Sequence, residues 1–205
     1  MLNYLIKLFF LVSTISLLAC SATVVQKNTI YPQTQPIPDN ARAQFNRALW
    51  AAKSMLLDEA IVLFNELSRD YPQFARSYTN LGLLYLTKNE LTAAERALLH
   101  AVAIYPYDAI AQNHLGIVLR KLGKFKQAEQ AYLAAVKYND EYNEAVLNLG
   151  VLYDLYLHDT SKALFYYKQS QSLLANPDSL VQKWIIDIQR RVKKDLDVDT
   201  DLAVK

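Results

Sequence analysis

Two stretches of the chain carry the same pattern: residues 78–106, YTNLGLLYLTKNELTAAERALLHAVAIYP, and residues 112–140, QNHLGIVLRKLGKFKQAEQAYLAAVKYND. The second stretch follows the first at a spacing of 34 residues, so that Gly82 is matched by Gly116. In both stretches apolar residues recur every three or four positions, which is the period of an amphipathic α-helix. Each unit therefore predicts two helices of about 12–14 residues joined by a short turn.

Further sets of positions extend this spacing over most of the chain. The first set holds small residues: Ala48, Gly82, Gly116 and Gly150. The second set holds alanines: Ala60, Ala94, Ala128 and Ala163. The third set holds bulky residues: Phe64, Leu98, Tyr132 and Tyr167. Ala163 and Tyr167 come one residue late, and Pro72 and Pro106 form a fourth set. We expect the small residues where two helices of a pair approach closely, because a bulky side chain there would push the helices apart.

These units resemble the tetratricopeptide repeat. The resemblance implies an all-α fold, a right-handed superhelix of helix-turn-helix repeats. It divides the chain into four repeats: 41–74, 75–108, 109–142 and 143–177. The first repeat departs from the pattern at Met55, where the turn usually takes glycine, and the fourth carries one extra residue in YLHDTSKA.

Residues 178–195 predict one more helix, with an apolar stripe along one side. The stripe consists of Val181, Trp184, Ile185, Ile188 and Val192. A repeat stack needs its open end covered by a helix with a polar outer face, so we interpret this segment as a capping helix. The alternative is a helix that binds a partner. The aspartate-rich residues 196–205 predict a disordered acidic tail rather than a calcium loop, because they lack the glycine and the final glutamate that such a loop needs.

The N-terminal segment 1–19 resembles a lipoprotein signal peptide. One cation, Lys7, precedes an uncharged run that is too short to span a bilayer, which takes about 20 apolar residues. The run ends in Leu17-Leu18-Ala19-Cys20, which resembles the lipobox of bacterial lipoproteins. That resemblance implies cleavage before Cys20 and acylation of this residue. A buried core thiol and a reactive thiol are the alternatives, and the second is disfavoured because no cation stands beside Cys20 to lower its pKa.

The resemblance also implies a location. Ser21 stands where lipoproteins retained in the inner membrane usually have aspartate, so we expect anchoring in the outer membrane, with the chain facing the periplasm. The segment 20–40 is rich in Ser, Thr, Gln, Asn and Pro and predicts a flexible tether between the anchor and the repeats.

The composition indicates no catalytic chemistry. A net charge of +2 with mixed signs argues against a nucleic-acid surface, and four glycines are few for a Rossmann or P-loop fold. By their repeat positions His100, His114 and His158 do not converge, and no metal-binding or nucleophile motif is present. We therefore expect no catalytic residues, no metal, no cofactor and no small-molecule substrate.

In tetratricopeptide proteins the first helix of each pair lines a concave face, and ligands usually bind there. By this resemblance the predicted partner-binding groove consists of Phe45, Asn46, Leu49, Thr79, Asn80, Leu83, Leu86, Ile110, Asn113, His114, Ile117, Leu147, Asn148 and Val151. Asn46, Asn80, His114 and Asn148 form a ladder at the repeat spacing, suited to the backbone of an extended peptide. Alternatively, asparagine is simply common at this repeat position, and some of the apolar residues pack between repeats.

Phe45 and Ile110 stand where repeats that bind acidic chaperone tails have lysines, so we expect an apolar helix or an extended segment as the ligand. The hypothesis is a non-catalytic adaptor for a protein or peptide partner in the cell envelope. The combination of anchor and repeats resembles the pilotin-like lipoproteins of type IV pilus assembly, which implies a role with a secretin. A scaffold for peptidoglycan or outer-membrane assembly enzymes is the alternative.

Overall fold

The computed structural model describes residues 36–203, with side chains to Val192. Within this range all regular elements are helical, which confirms the predicted all-α fold. A short 3-10 helix, Asp39–Ala41, precedes nine α-helices: α1 (Arg42–Lys53), α2 (Leu57–Asp70), α3 (Ala75–Thr87), α4 (Leu91–Ile104), α5 (Ala109–Lys121), α6 (Phe125–Tyr138), α7 (Asn143–Leu155), α8 (Thr160–Ser172) and α9 (Ser179–Ala203). The predicted signal peptide, Cys20 and most of the predicted tether lie outside the described residues.

The first eight helices form four consecutive pairs, α1 with α2 through α7 with α8, and each pair packs on the next. The first helices of neighbouring pairs also touch each other, α3 with α5 and α5 with α7. They pack together more closely than neighbouring second helices do. The first helices are therefore the more crowded side of the stack. We call the side formed by α1, α3, α5 and α7 the inner surface.

The helices of a pair touch where a glycine faces a bulky side chain. A Cβ atom added to Gly116 would lie 2.5 Å from the ring of Tyr132, and one added to Gly82 would lie 2.4 Å from Leu98. The same pairing joins Gly150 to Tyr167. Such distances are shorter than any carbon–carbon contact allows, so only glycine permits this approach. The prediction that small residues stand at the helix crossings is confirmed at these three pairs.

Each pair turns at one residue with a left-handed backbone. The four turn residues are Met55 (φ 60°), Asn89 (59°), Gly123 (76°) and His158 (55°). This conformation costs an L-residue about 1–2 kcal/mol relative to glycine, yet only one of the four is glycine. The following amide holds this conformation. At the first three turns it donates to a carbonyl five residues earlier, as Leu56 does to Ala51 at 3.0 Å, and at the fourth turn Asp159 donates to Tyr153, six residues earlier, at 2.9 Å. Met55 therefore keeps the shape of the turn without the usual glycine.

Helix α9 begins like the first helix of a further repeat. Asp178 Oδ1 accepts hydrogen bonds from the amides of Leu180 and Val181, as Asp108 Oδ1 does from Ile110 and Ala111 at the start of α5. The buried positions match as well, because Val181, Ile185 and Ile188 on α9 follow Ala111, Leu115 and Val118 on α5 at one common offset. α9 packs on α8 and closes the core with these three residues.

The helix continues beyond its predicted end at Asp195 and runs to Ala203. The prediction of a disordered tail is therefore wrong for residues 196–203. No glycine or proline follows Asp195, so nothing in the local sequence stops a helix that the packed residues before it have already started.

Replacing Gly116 with alanine tests the close approach of a helix pair. We expect Gly116→Ala to lower the free energy of unfolding by about 1–2 kcal/mol, because overpacking against the buried Tyr132 ring exceeds the gain in helix propensity. Urea denaturation followed by circular dichroism measures this change. Adding Tyr132→Leu should recover part of the loss, and a Gly116→Ala variant as stable as the parent would contradict the interpretation.

Candidate binding groove

The structure places eleven of the fourteen predicted groove residues at least partly in contact with solvent. They are Asn46, Leu49, Asn80, Leu83, Leu86, Ile110, His114, Ile117, Leu147, Asn148 and Val151. The other three, Phe45, Thr79 and Asn113, are buried. The prediction that these three are exposed to a partner is wrong, and each of them has a structural partner instead.

Phe45 belongs to the core of the first repeat. Its ring lies edge-on to Phe64, with ring centroids 5.9 Å apart, and edge-on to Phe74 at 5.4 Å. The guanidinium of Arg76 covers the ring from the next repeat at 4.8 Å. Edge-to-face rings and a stacked cation stabilise such a site, so Phe45 joins repeats one and two.

Thr79 and Asn113 join neighbouring repeats through polar contacts of equal sequence separation. Thr79 Oγ1 lies 3.3 Å from Asp108 Oδ2, and Asn113 Nδ2 donates to Tyr142 Oη at 3.2 Å, and the partners are 29 positions apart in the sequence in both cases. Asp108 and Tyr142 each stand just before the next first helix. The polar side chains therefore tie one first helix to the start of the next.

The Asn113 site is a small buried network. Asn113 Oδ1 accepts from Asn148 Nδ2 at 3.0 Å, and the hydroxyl of Tyr142 donates to Glu144 at 3.1 Å. Burial, together with the charge of Glu144, raises the pKa of Tyr142 to about 12. Tyr142 is therefore neutral at physiological pH, which keeps its hydroxyl a donor to Glu144 while it accepts from Asn113.

The predicted amide ladder is engaged mainly with the protein itself. Asn80 Nδ2 donates to the carbonyl of Arg76 at 2.7 Å, and His114 Nδ1 lies 2.8 Å from the carbonyl oxygen of Ile110. Asn148 donates to Asn113, as described above. These contacts favour the alternative interpretation, that polar residues recur at this position because they serve the repeat. Asn46 is exposed on α1.

An apolar row crosses the inner surface at the repeat spacing. It consists of Leu49, Leu83, Ile117 and Val151, one residue from each first helix, and all four are half-buried. Ile110, next to the row, is 46% exposed. Half-buried apolar side chains aligned over four helices form a continuous surface that a partner's apolar side chains can cover. We call these four residues the inner apolar row.

Two clefts lie along this row. The N-terminal cleft has a volume of about 210 Å³, and its lining includes Leu49, Arg76, Leu83 and Ile110. The C-terminal cleft is larger, about 620 Å³, and is lined by Val151, Asp154, Leu155, His158, Tyr167, Trp184, Asp187 and Arg191. Only Val151 of the second lining was among the predicted groove residues. The others were missed because the capping interpretation of α9 was preferred to the alternative of a partner-binding helix, although Trp184 was visible in its apolar stripe.

The C-terminal cleft contains a small charge network. Arg191 donates to Asp154 at 2.7 Å and forms an ion pair with Asp187 at 3.1 Å, while the hydroxyl of Tyr167 donates to Asp154 at 3.3 Å. Burial, followed by the neighbouring Asp154 carboxylate, raises the pKa of Tyr167. The network joins α7, α8 and α9, so it both anchors the last helix and forms one wall of the cleft.

The histidines lie apart, in agreement with their repeat positions. His100 stacks on Tyr78 with ring centroids 5.4 Å apart, His114 lies on α5, and His158 is the turn residue between α7 and α8. Within the described residues, no cluster of His, Cys, Asp and Glu side chains suits a metal ion. In the same part of the chain, no helix combines the length and apolarity needed to cross a membrane.

Alanine at Asn113 tests the assignment of this residue to the structure and not to ligand binding. We expect Asn113→Ala to lower the free energy of unfolding by about 1–3 kcal/mol, because Tyr142 and Asn148 lose a buried hydrogen-bond partner. The control is Asn80→Ala on the same surface, which should change it by less than about 0.5 kcal/mol. Urea denaturation measures both, and equal effects would contradict the assignment.

Comparisons with known proteins agree with this architecture. The tetratricopeptide repeat family model matches residues 57–109 and 114–155. No curated protein sequence matches the chain. Among solved structures, MamA 41-end from Desulfovibrio magneticus RS-1 has a TM-score of 0.67 at 17% identity and covers 81% of this chain and 92% of its own. The MamA RS-1 ArsTM double mutant has a TM-score of 0.67 at 17% identity, with coverage of 76% and 86%.

A third similar structure is that of Pseudomonas aeruginosa pilF, with a TM-score of 0.66 at 22% identity, covering 76% of this chain and 71% of that one. At these identities the similarity concerns the fold. The match to the repeat family places tetratricopeptide repeats at residues 57–109 and 114–155, and the solved structures share the fold of the helix pairs.

Proposed function

We propose that the chain is a non-catalytic adaptor that binds a protein partner of the cell envelope on its inner surface and assists assembly of an envelope complex. The observation that carries the proposal is the inner apolar row, Leu49, Leu83, Ile117 and Val151. The tetratricopeptide fold is a protein-interaction fold, which supports the general role. The row is the part of the surface where we expect the partner to bind.

The chemistry of the row favours an apolar ligand. Its four side chains are half-buried, and the polar side chains between them are largely hydrogen-bonded within the protein, as Asn80 and Asn148 are. A partner helix or extended segment with regularly spaced apolar side chains would bury the row and leave no buried polar group unpaired. A strongly polar ligand would find few free hydrogen-bonding groups there.

The finer role that we propose is assembly of a type IV pilus or its secretin. P. aeruginosa pilF has the same fold at 22% identity, and this shared fold is the support for the role. The alternative is a scaffold for peptidoglycan or outer-membrane assembly enzymes. The two roles differ in the partner that occupies the inner surface.

The anchor is part of the same proposal. Acylation at Cys20 would hold the chain at the outer membrane, facing the periplasm, because each buried CH₂ of an acyl chain contributes about 0.8 kcal/mol and several chains together anchor stably. The segment 20–40, with three prolines, would let the repeats stand away from the lipid surface.

Site-specific photo-crosslinking tests the binding surface in cells. A benzoylphenylalanine replacing Leu83 on the inner surface should capture the partner, whereas the same residue replacing Leu133, which is exposed on the outer helix α6, should not. The identity of the captured protein separates a pilus component from a peptidoglycan enzyme. Capture from position 133 alone, or from neither position, would contradict binding on the inner surface.

Cell fractionation of a Cys20→Ala variant tests the anchor. We expect it to lack the acyl chains and to move from the outer-membrane fraction to the soluble periplasm, because the single attachment point is lost. Metabolic labelling with a palmitate analogue should mark the parent and not the variant. A Ser21→Ala variant is the control and should stay lipidated, and a membrane-bound, unlabelled parent would rule out the lipid anchor.

A further inference from the structure

Helix α9 extends the inner surface beyond the fourth repeat. Its capping residue Asp178 corresponds to Tyr142 before α7, an offset of 36 residues. At this offset Trp184 corresponds to Asn148, so the ring occupies the ladder position of a fifth first helix. Trp184 is half-buried and lies against Tyr167, with ring centroids 5.5 Å apart. The last helix thus adds an aromatic residue to the surface on which the partner is expected.

The C-terminal cleft lies between α7 and α9 at this point. Its apolar lining includes Val151, which ends the inner apolar row, and Leu155, which is 58% exposed. Trp184 stands across the cleft on α9. A cleft of about 620 Å³ is large enough for one or two side chains of a bound segment. It is therefore continuous with the proposed binding surface and not a separate site.

The charges of the lining do not balance. Asp154 and Asp187 share one guanidinium, that of Arg191, and His158 is the remaining ionisable group apart from the Tyr167 hydroxyl. The side chain of Asp187 is 65% exposed, so one carboxylate stays open to solvent while it contacts Arg191. The two carboxylates and the one guanidinium of the lining thus leave one formal negative charge in excess.

Lys183 and Arg190 lie about one turn before and one turn after Asp187 on α9, and neither lines the cleft. In the described part of the chain neither forms an ion pair with Asp154 or Asp187. The negative charge therefore stands beside an indole ring and two aliphatic side chains. That combination suits a cation with an apolar neighbour, because a guanidinium or ammonium group stacks on tryptophan better than on any other side chain.

We propose that the C-terminal cleft binds a segment of the protein partner in which a lysine or arginine stands next to an apolar residue. The cation lies over Trp184 and beside Asp187, and the apolar side chain packs on Val151 and Leu155. This assignment rests on the adaptor function proposed above and adds the chemistry of the ligand. Trp184 is then the anchor residue of the contact, since buried tryptophans contribute most at such interfaces.

Titration with defined peptides tests the cleft. The probes are three acetylated, amidated peptides, Ala-Leu-Xaa-Leu-Ala, with Xaa as arginine, its neutral analogue citrulline, or glutamate. The full chain with ¹⁵N-labelled tryptophan reports binding, because its two indoles, Trp50 and Trp184, lie at opposite ends of the repeats. We expect the arginine peptide to shift the Trp184 signal and to bind about fivefold more tightly than the citrulline peptide.

Two variants separate charge from folding. Asp187→Asn should remove the preference for arginine over citrulline, and the matched control Asp70→Asn, an exposed carboxylate beside Arg69 on α2, should keep it. Both variants should keep the helical circular dichroism of the parent. Equal affinity for the arginine and citrulline peptides, a shift of the Trp50 signal alone, or no shift at millimolar peptide would overturn the proposal.

Photo-crosslinking from Leu155 separates this proposal from the adaptor function on which it rests. Both proposals are supported if the partner is captured from Leu83 and from Leu155. The captured peptide should then have a lysine or arginine next to its crosslinked apolar residue. Capture from Leu83 without capture from Leu155 overturns the C-terminal cleft and leaves the adaptor function standing. Capture from neither position overturns both.

Discussion

The whole stack depends on how closely the two helices of each pair can approach. Gly116 brings α5 against the ring of Tyr132, and Gly82 and Gly150 do the same for their pairs. This contact sets the distance between the helices of a pair. Any added atom would have to displace a buried side chain in a close-packed interior, since protein cores have little free volume. The inner surface keeps its shape because these contacts are repeated with little variation.

The contact within a pair does not fix the pairs relative to one another; polar and aromatic side chains do so. Thr79 with Asp108 and Asn113 with Tyr142 each join a first helix to the start of the next one. Since hydrogen bonds are directional, they determine the register of neighbouring repeats more strictly than apolar contacts. The inner apolar row stays aligned as a consequence.

The spacing of 34 residues was enough to predict the helix pairs and the small residues at their crossings. It was not enough to predict how deeply each side chain is buried. Phe45, Thr79 and Asn113 have the right phase for the inner surface, but each is buried by a residue from a neighbouring helix. Periodicity assigns a residue to a face, whereas burial depends on contacts with the next repeat, which a single helix pattern does not contain.

The same limit explains why the capping interpretation of α9 was preferred to that of a partner-binding helix. Val181, Ile185 and Ile188 close the core, and this stripe was evident in the sequence. The register of α9 relative to α7 follows from the cap at Asp178, and only the structure gives that register. With this register, Trp184 is assigned to the inner surface and not only to the apolar stripe.

Register also shows how the outer face of α9 differs from that of the other first helices. At the offset of 36 residues, the position of Gly150 is occupied by Ile186, which is 41% exposed. A helix packed on this face could not approach α9 as closely as α8 approaches α7, because an isoleucine stands where α7 has glycine. The polar neighbours of Ile186 on that face, Gln182 and Gln189, are exposed and suit an end facing solvent. The inner side of α9 is free of this constraint, so one helix can end the stack on one face and continue the binding surface on another.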